Sequence, residues 1–145
     1  MENNKQLIFS LNKIVTEEFA IIEQSYKGDD VDKEFEISVA FEFNAEKYLI
    51  AVFCEYSFLQ NNAPFLLIKM SCHFKIDNET WSGFLDENKT SVIIDKLFLR
   101  HLAGFTVGTL RGALHSKTEN TPFNKFHVPP IVITELVPDD ITLSL

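Results

Sequence analysis

The chain has 145 residues, of which 46% are hydrophobic and 23% charged, and its formal net charge is −8. That length and mix suit a single domain, residues 1–145, with a real core. Its 13 Lys and Arg are scattered rather than clustered, which argues against a phosphate-binding surface and so against nucleic acid.

The opening stretch MENNKQLIFSLNKIV carries Glu2 and only a short apolar patch. It reads as no signal peptide, and no apolar run is long enough to span a membrane, so a cytoplasmic protein without membrane insertion is expected. The segment from Leu7 to Tyr26 is rich in Ile, Val, Thr and Phe and is read as a strand. Its alternation is loose, and Leu7, Leu11, Ile14 and Val15 would also suit a helix. GDDVDKE, residues 28–34, reads as a solvated acidic turn without calcium-loop spacing.

Residues 35–43, FEISVAFEF, alternate apolar and polar, the mark of a strand with one buried face. YLIAVFCEYSF and FLLIKMSCHFKI follow as two further strands, and the three together predict an antiparallel meander. Turns centred near 45–46 and near 63 would set Phe41 opposite Ile50, Val39 opposite Val52, Ile37 and Cys72 opposite Cys54, and Tyr56 opposite Met70. Residues 77–92, with Trp81, Phe84 and Leu85, read as a loop or short helix. A long helix is expected over about 92–116, then an irregular loop, then an extended tail through Pro129-Pro130.

Gly104, Gly108 and Gly112 fall four apart within that helix and would form a bare strip along one side. A glycine there costs about 1 kcal/mol relative to alanine. The strip is therefore expected to sit where the sheet or a sister subunit approaches closely. Arg111 beside it is read two ways, as an anchor for the following loop or as a solvent-facing residue.

Chemistry is sparse. His73, His101, His115 and His127 show no metal-ligand spacing, no glycine-rich phosphate loop follows a strand, and no G-x-S-x-G elbow occurs. Cys54 and Cys72 are read as two buried thiols. No catalytic residue, metal or cofactor is expected, and a small-molecule enzyme is the weakest reading.

Three strands, a connecting segment, a long helix ending in Arg-Gly and a proline-containing apolar tail resemble the SecB-like export-chaperone fold. FLRHLAGFTVGTLRG (98–112) and FHVPPIVITELV (126–137) carry the resemblance. It implies an α+β fold with a four-stranded antiparallel sheet, the N-terminal strand joining the meander, and a long C-terminal helix packed on it. It also implies homo-oligomers, dimers or tetramers, that hold unfolded or extended polypeptides, with a secretion ATPase as a further partner. The Pro-Tyr step that often precedes the family's helix arginine is replaced here by Phe98-Leu99-Arg100, and no acidic residue matches an ATPase contact one by one. Trp81, Phe84, Phe123 and Phe126 are the candidate lining of a groove where the helix and the 113–128 loop meet the sheet. The same side chains could instead pin loops to the core. The alternative function is a non-catalytic interaction module, a scaffold or a toxin–antitoxin-associated protein, with one specific partner.

Overall fold

A computed structural model describes residues 6–145. The first five residues, which open the stretch read for a leader, lie outside the described residues. Alternating apolar and polar residues build the main sheet. Strands β1 (Phe9–Ile21), β2 (Glu34–Asn44), β3 (Leu49–Gln60) and β4 (Ala63–Ile76) are antiparallel, in the order β1-β4-β3-β2. A short helix α1 (Asn78–Ser82), strand β5 (Ser91–Ile94) and the long helix α2 (Lys96–Thr118) follow. Helix α3 (Ile133–Leu136) is a single turn, and β6 (Ile141–Ser144) pairs with β5 in a second small sheet. The chain is thus α+β, with α2 packed over β3 and β4 on one face of the four-stranded sheet.

The meander is as expected, but each anticipated partner is displaced by two residues. Phe43 faces Ile50, Phe41 faces Val52, Val39 faces Cys54 and Ile37 faces Tyr56. On the other side of β3, Val52 faces Cys72, Cys54 faces Met70 and Tyr56 faces Ile68. Turn chemistry, together with a register shift between Phe58 and Leu59 in the β3–β4 pair, explains the displacement. Asn61 and Asn62 have φ of 52° and 63°, so the β3–β4 hairpin turns on those two residues and not near 63. The β2–β3 connection likewise runs from Ala45 to Tyr48, with the Asn44 side chain accepting from the Lys47 N–H at 3.0 Å. Because side chains alternate with period two, a two-residue displacement leaves every one on its expected face. It also makes Cys54 and Cys72 diagonal neighbours instead of facing partners.

The loose alternation of the N-terminal strand has a structural cause. Register shifts between Leu11 and Lys13 and between Thr16 and Glu18 interrupt β1, so its inward set is Phe9, Leu11, Ile14, Thr16, Phe19 and Ile21. Helix α2 begins four residues later than expected. The β-branched Val92, Ile93 and Ile94 belong to β5, and Asp95 caps the helix by accepting from the Leu97 N–H at 2.7 Å. The helix also runs to Thr118, two residues past the expected end. The tail is not simply extended, since it contains α3 and ends in β6.

Two contiguous apolar clusters lie between the sheet and α2, with Leu99, Leu102 and Leu110 fully buried. Gly104, Gly108 and Gly112 face away from them. A Cβ placed on any of the three meets no atom within 4 Å. The sheet therefore is not what the strip approaches. Gly104→Ala is expected to raise the unfolding free energy by about 0.5–1 kcal/mol in urea denaturation, through helix propensity alone. A loss of stability instead would place a neighbouring chain against that side of the helix.

Candidate functional site

Arg100 and Arg111 are the chain's arginines, and they make the same interaction. Arg111 donates from Nε to Val128 O and from Nη2 to Pro129 O, both at 3.0 Å. Arg100 donates from Nε to Val137 O at 2.8 Å and from Nη2 to Pro138 O at 3.3 Å. Each planar fork therefore grips the two carbonyls of a Val-Pro step, a geometry suited to guanidinium. The arginines are eleven residues apart, about three helical turns, which puts them on one flank of α2. Between the grips the tail runs back along the helix as a strap. Its Ile131 and Ile133 pack against the buried cluster that Ile37 and Val39 also cover, and its Leu136 against the cluster that Phe41 and Phe43 cover. Of the two readings of Arg111, the loop anchor is what the fold uses.

The four candidate aromatics are all buried. Trp81 is 3% exposed, Phe84 9%, Phe123 6% and Phe126 8%. Trp81 and Phe84 belong to the core cluster that reaches α1 and β5, and Trp81 packs on Tyr48. Phe123 and Phe126 close an aromatic box with Tyr26 and Phe65, their rings 5.1–6.3 Å apart. The end of the fold where a groove was expected is thus filled. Here the four rings pin loops to the core. The box is tied to the β1–β2 crossover by Lys125 Nζ on Asp29 at 2.6 Å, and Tyr26 donates to the same carboxylate.

The open surfaces lie at the two edges of the sheet. Strand β2 offers one edge, eleven residues long with no register shift against β3. Its inward row is Phe35, Ile37, Val39, Phe41 and Phe43, and its outward row is Glu34, Glu36, Ser38, Ala40 and Glu42. Phe35 is 55% exposed and stacks on Tyr56 at 5.6 Å. The Tyr56 hydroxyl is buried without a partner among the described residues, and burial pushes its pKa up to about 12. At the other edge β1 carries its two register shifts. Its inward Leu11 and Ile14 are each 49% exposed, and Phe105 of α2 is 51% exposed. Phe105 packs on Phe9, and with Gly108 and Gly112 three and seven residues on, it makes that flank of α2 apolar and bare.

The face of the sheet away from α2 carries a polar trio. Ser71, fully buried, donates to Glu17 Oε1 at 2.6 Å and lies 2.9 Å from His73 Nε2. With its proton committed to the carboxylate, Ser71 accepts from His73, the reverse of what a serine nucleophile requires. The trio was not visible in the sequence, because Glu17 reaches Ser71 through the second β1 bulge. The other histidines stay apart from it. His115 and His127 stack at the far end of α2, and His101 lies edge-on to Phe9.

No protein-family model matches this chain, and no curated protein sequence matches it. Among the described residues no helix is long and apolar enough to cross a membrane, and no group of three or more His, Cys, Asp or Glu is placed to hold a metal.

Two outcomes test this description. Burial first, and Cys72 second, push the Cys54 thiol up to about 12. Cys54 and Cys72 are buried and unpaired, so both are expected to react with a disulfide reagent only as fast as the protein unfolds. Burial, and then Lys13, hold the His73 imidazole below its ordinary 6.5. The unfolded chain then binds that proton more readily, so stability falls as pH drops through 6.5 toward the folded value. His73→Gln is expected to flatten this slope in urea titrations taken on either side of that pH.

Proposed function

We propose that this protein is a SecB-like holdase that captures extended apolar polypeptide along β2. The observation that carries the reading is the regular eleven-residue β2 edge, with an apolar row on one side and glutamates on the other. An extended chain laid on that edge gains backbone hydrogen bonds at alternate residues. Its inward side chains meet Phe35 and the row behind it, and its outward ones meet Glu34, Glu36 and Glu42, which favour Lys or Arg there.

Assembly belongs to the other edge. A second copy covering Leu11, Ile14, Phe105 and the glycine flank would bury apolar surface that one chain leaves in water. This supports a homo-oligomer, a dimer or tetramer. Delivery of clients to a secretion ATPase, and a cytoplasmic location, follow from the resemblance alone.

A second reading is an interaction module with one folded partner. The outward sheet face favours it, since Ala40, Ala51, Phe53 and Leu67 break its polar pattern. The holdase is expected to suppress light scattering from an aggregating basic client at molar excess. Glu36→Lys with Glu42→Lys is expected to weaken that suppression most at low salt. No suppression, together with one stoichiometric partner in a pull-down, would favour the module. A strictly monomeric solution mass by light scattering would remove the oligomer.

A further inference from the structure

We propose that the strap, residues 127–139, is a lid on the β2 row, held closed by Arg100 and Arg111 and displaced when an extended polypeptide takes its place. The inference rests on the polypeptide-binding reading above and adds its regulation.

The strap's two ends are fixed independently of its middle. Phe126 is buried in the aromatic box. At the other end Asp140 accepts from the Lys96 N–H at 2.8 Å, and β6 pairs with β5. The middle has no ladder. Among the described residues its backbone hydrogen bonds stay inside the segment, from Glu135 N–H to Val132 O and from Val137 N–H to Ile133 O. What holds it to the rest of the fold is the two arginine forks and the packing of Val128, Ile131, Ile133, Leu136 and Val137. A segment with few backbone ties opens locally without global unfolding.

What it covers gives the lid its purpose. Ile131 and Ile133 pack against the same buried cluster as Ile37 and Val39, the residues that the inward side chains of an added polypeptide would meet. The strap itself has the pattern of such a polypeptide, with Ile131 and Ile133 partly buried, Val132 58% exposed and Thr134 exposed. It therefore competes with a client for one apolar surface. Apparent affinity for the client is the intrinsic affinity scaled by the fraction of molecules whose lid is open. The forks set that fraction. Lysine, a strongly hydrated point charge without the preorganised planar fork, holds the two carbonyls of a Val-Pro step less firmly.

The test compares the wild type with R100K/R111K, or with R100K alone where the double variant does not fold. Binding of a fluorescently labelled, reduced and carboxymethylated protein is read by anisotropy, and amide exchange over 127–139 by mass spectrometry. The expected result is local exchange of the strap in the wild type, faster exchange in the variant, and about tenfold tighter client binding by the variant. Bound client should also speed strap exchange in the wild type. Strap exchange that occurs only with global unfolding in both proteins overturns the lid. So does a variant with faster strap exchange but no gain in affinity over a wild type that binds, and this leaves the polypeptide reading standing. Binding by neither protein overturns the polypeptide reading and the lid with it. Binding by the variant alone supports both.

Discussion

One helix cannot cover four strands. An α-helix is about 10 Å across with its side chains, and neighbouring strands lie about 4.8 Å apart. Helix α2 therefore covers the two central strands, β3 and β4, and leaves the inward faces of β1 and β2 to other means. The buried residues of α2 and its two flanks follow from that mismatch. So does the difference between the two edges, because each solves the shortage differently.

On the β2 side the chain supplies its own cover. A strap with prolines at 129, 130 and 138 cannot join a ladder readily, since proline lacks the N–H. Its carbonyls still need donors, because a backbone acceptor taken out of water without one costs about 1–3 kcal/mol. Arg100 and Arg111 meet that need from the helix, two carbonyls each. Their long stems reach over the helix shoulder without putting charge into the core. The chain thus places both of its arginines where a fork is needed and uses lysine elsewhere on its surface.

Much of this was legible in the sequence, and the rest was hidden for physical reasons. Period-two alternation in 35–43, 48–58 and 65–76 identified the meander and the buried face of every strand. It did not identify the partners, because any even displacement preserves the faces, and the left-handed Asn61-Asn62 turn together with the register shift between Phe58 and Leu59 selects the register. β1 was ambiguous because two bulges erase its period. The second arginine grip had a signal that went unused. Val128-Pro129 and Val137-Pro138 repeat the same step, and Arg100 and Arg111 repeat at helical spacing. The glycine strip shows the limit of local reasoning. Spacing placed the three glycines on one side of the helix, but the side that one chain leaves open depends on how α2 rolls over β3 and β4.

The β1 side has no strap, and its edge is built differently from that of β2. Bulges interrupt its ladder, a common way to keep a strand edge from recruiting further strands. What remains there is apolar surface, with Leu11, Ile14 and Phe105 in water beside a helix flank stripped to glycine. Such a surface suits side-chain packing with close backbone approach more than strand addition. The β2 edge is the converse, regular in its backbone, charged along one row and apolar along the other, where the strap packs against the same cluster. The proposed capture of extended chains, without polymerisation through the protein's own edges, would need this asymmetry. One edge can accept a strand while the other is closed to strands and open to packing. The shortage of helix cover over a four-stranded sheet is thus the physical origin of both surfaces on which the proposed function depends.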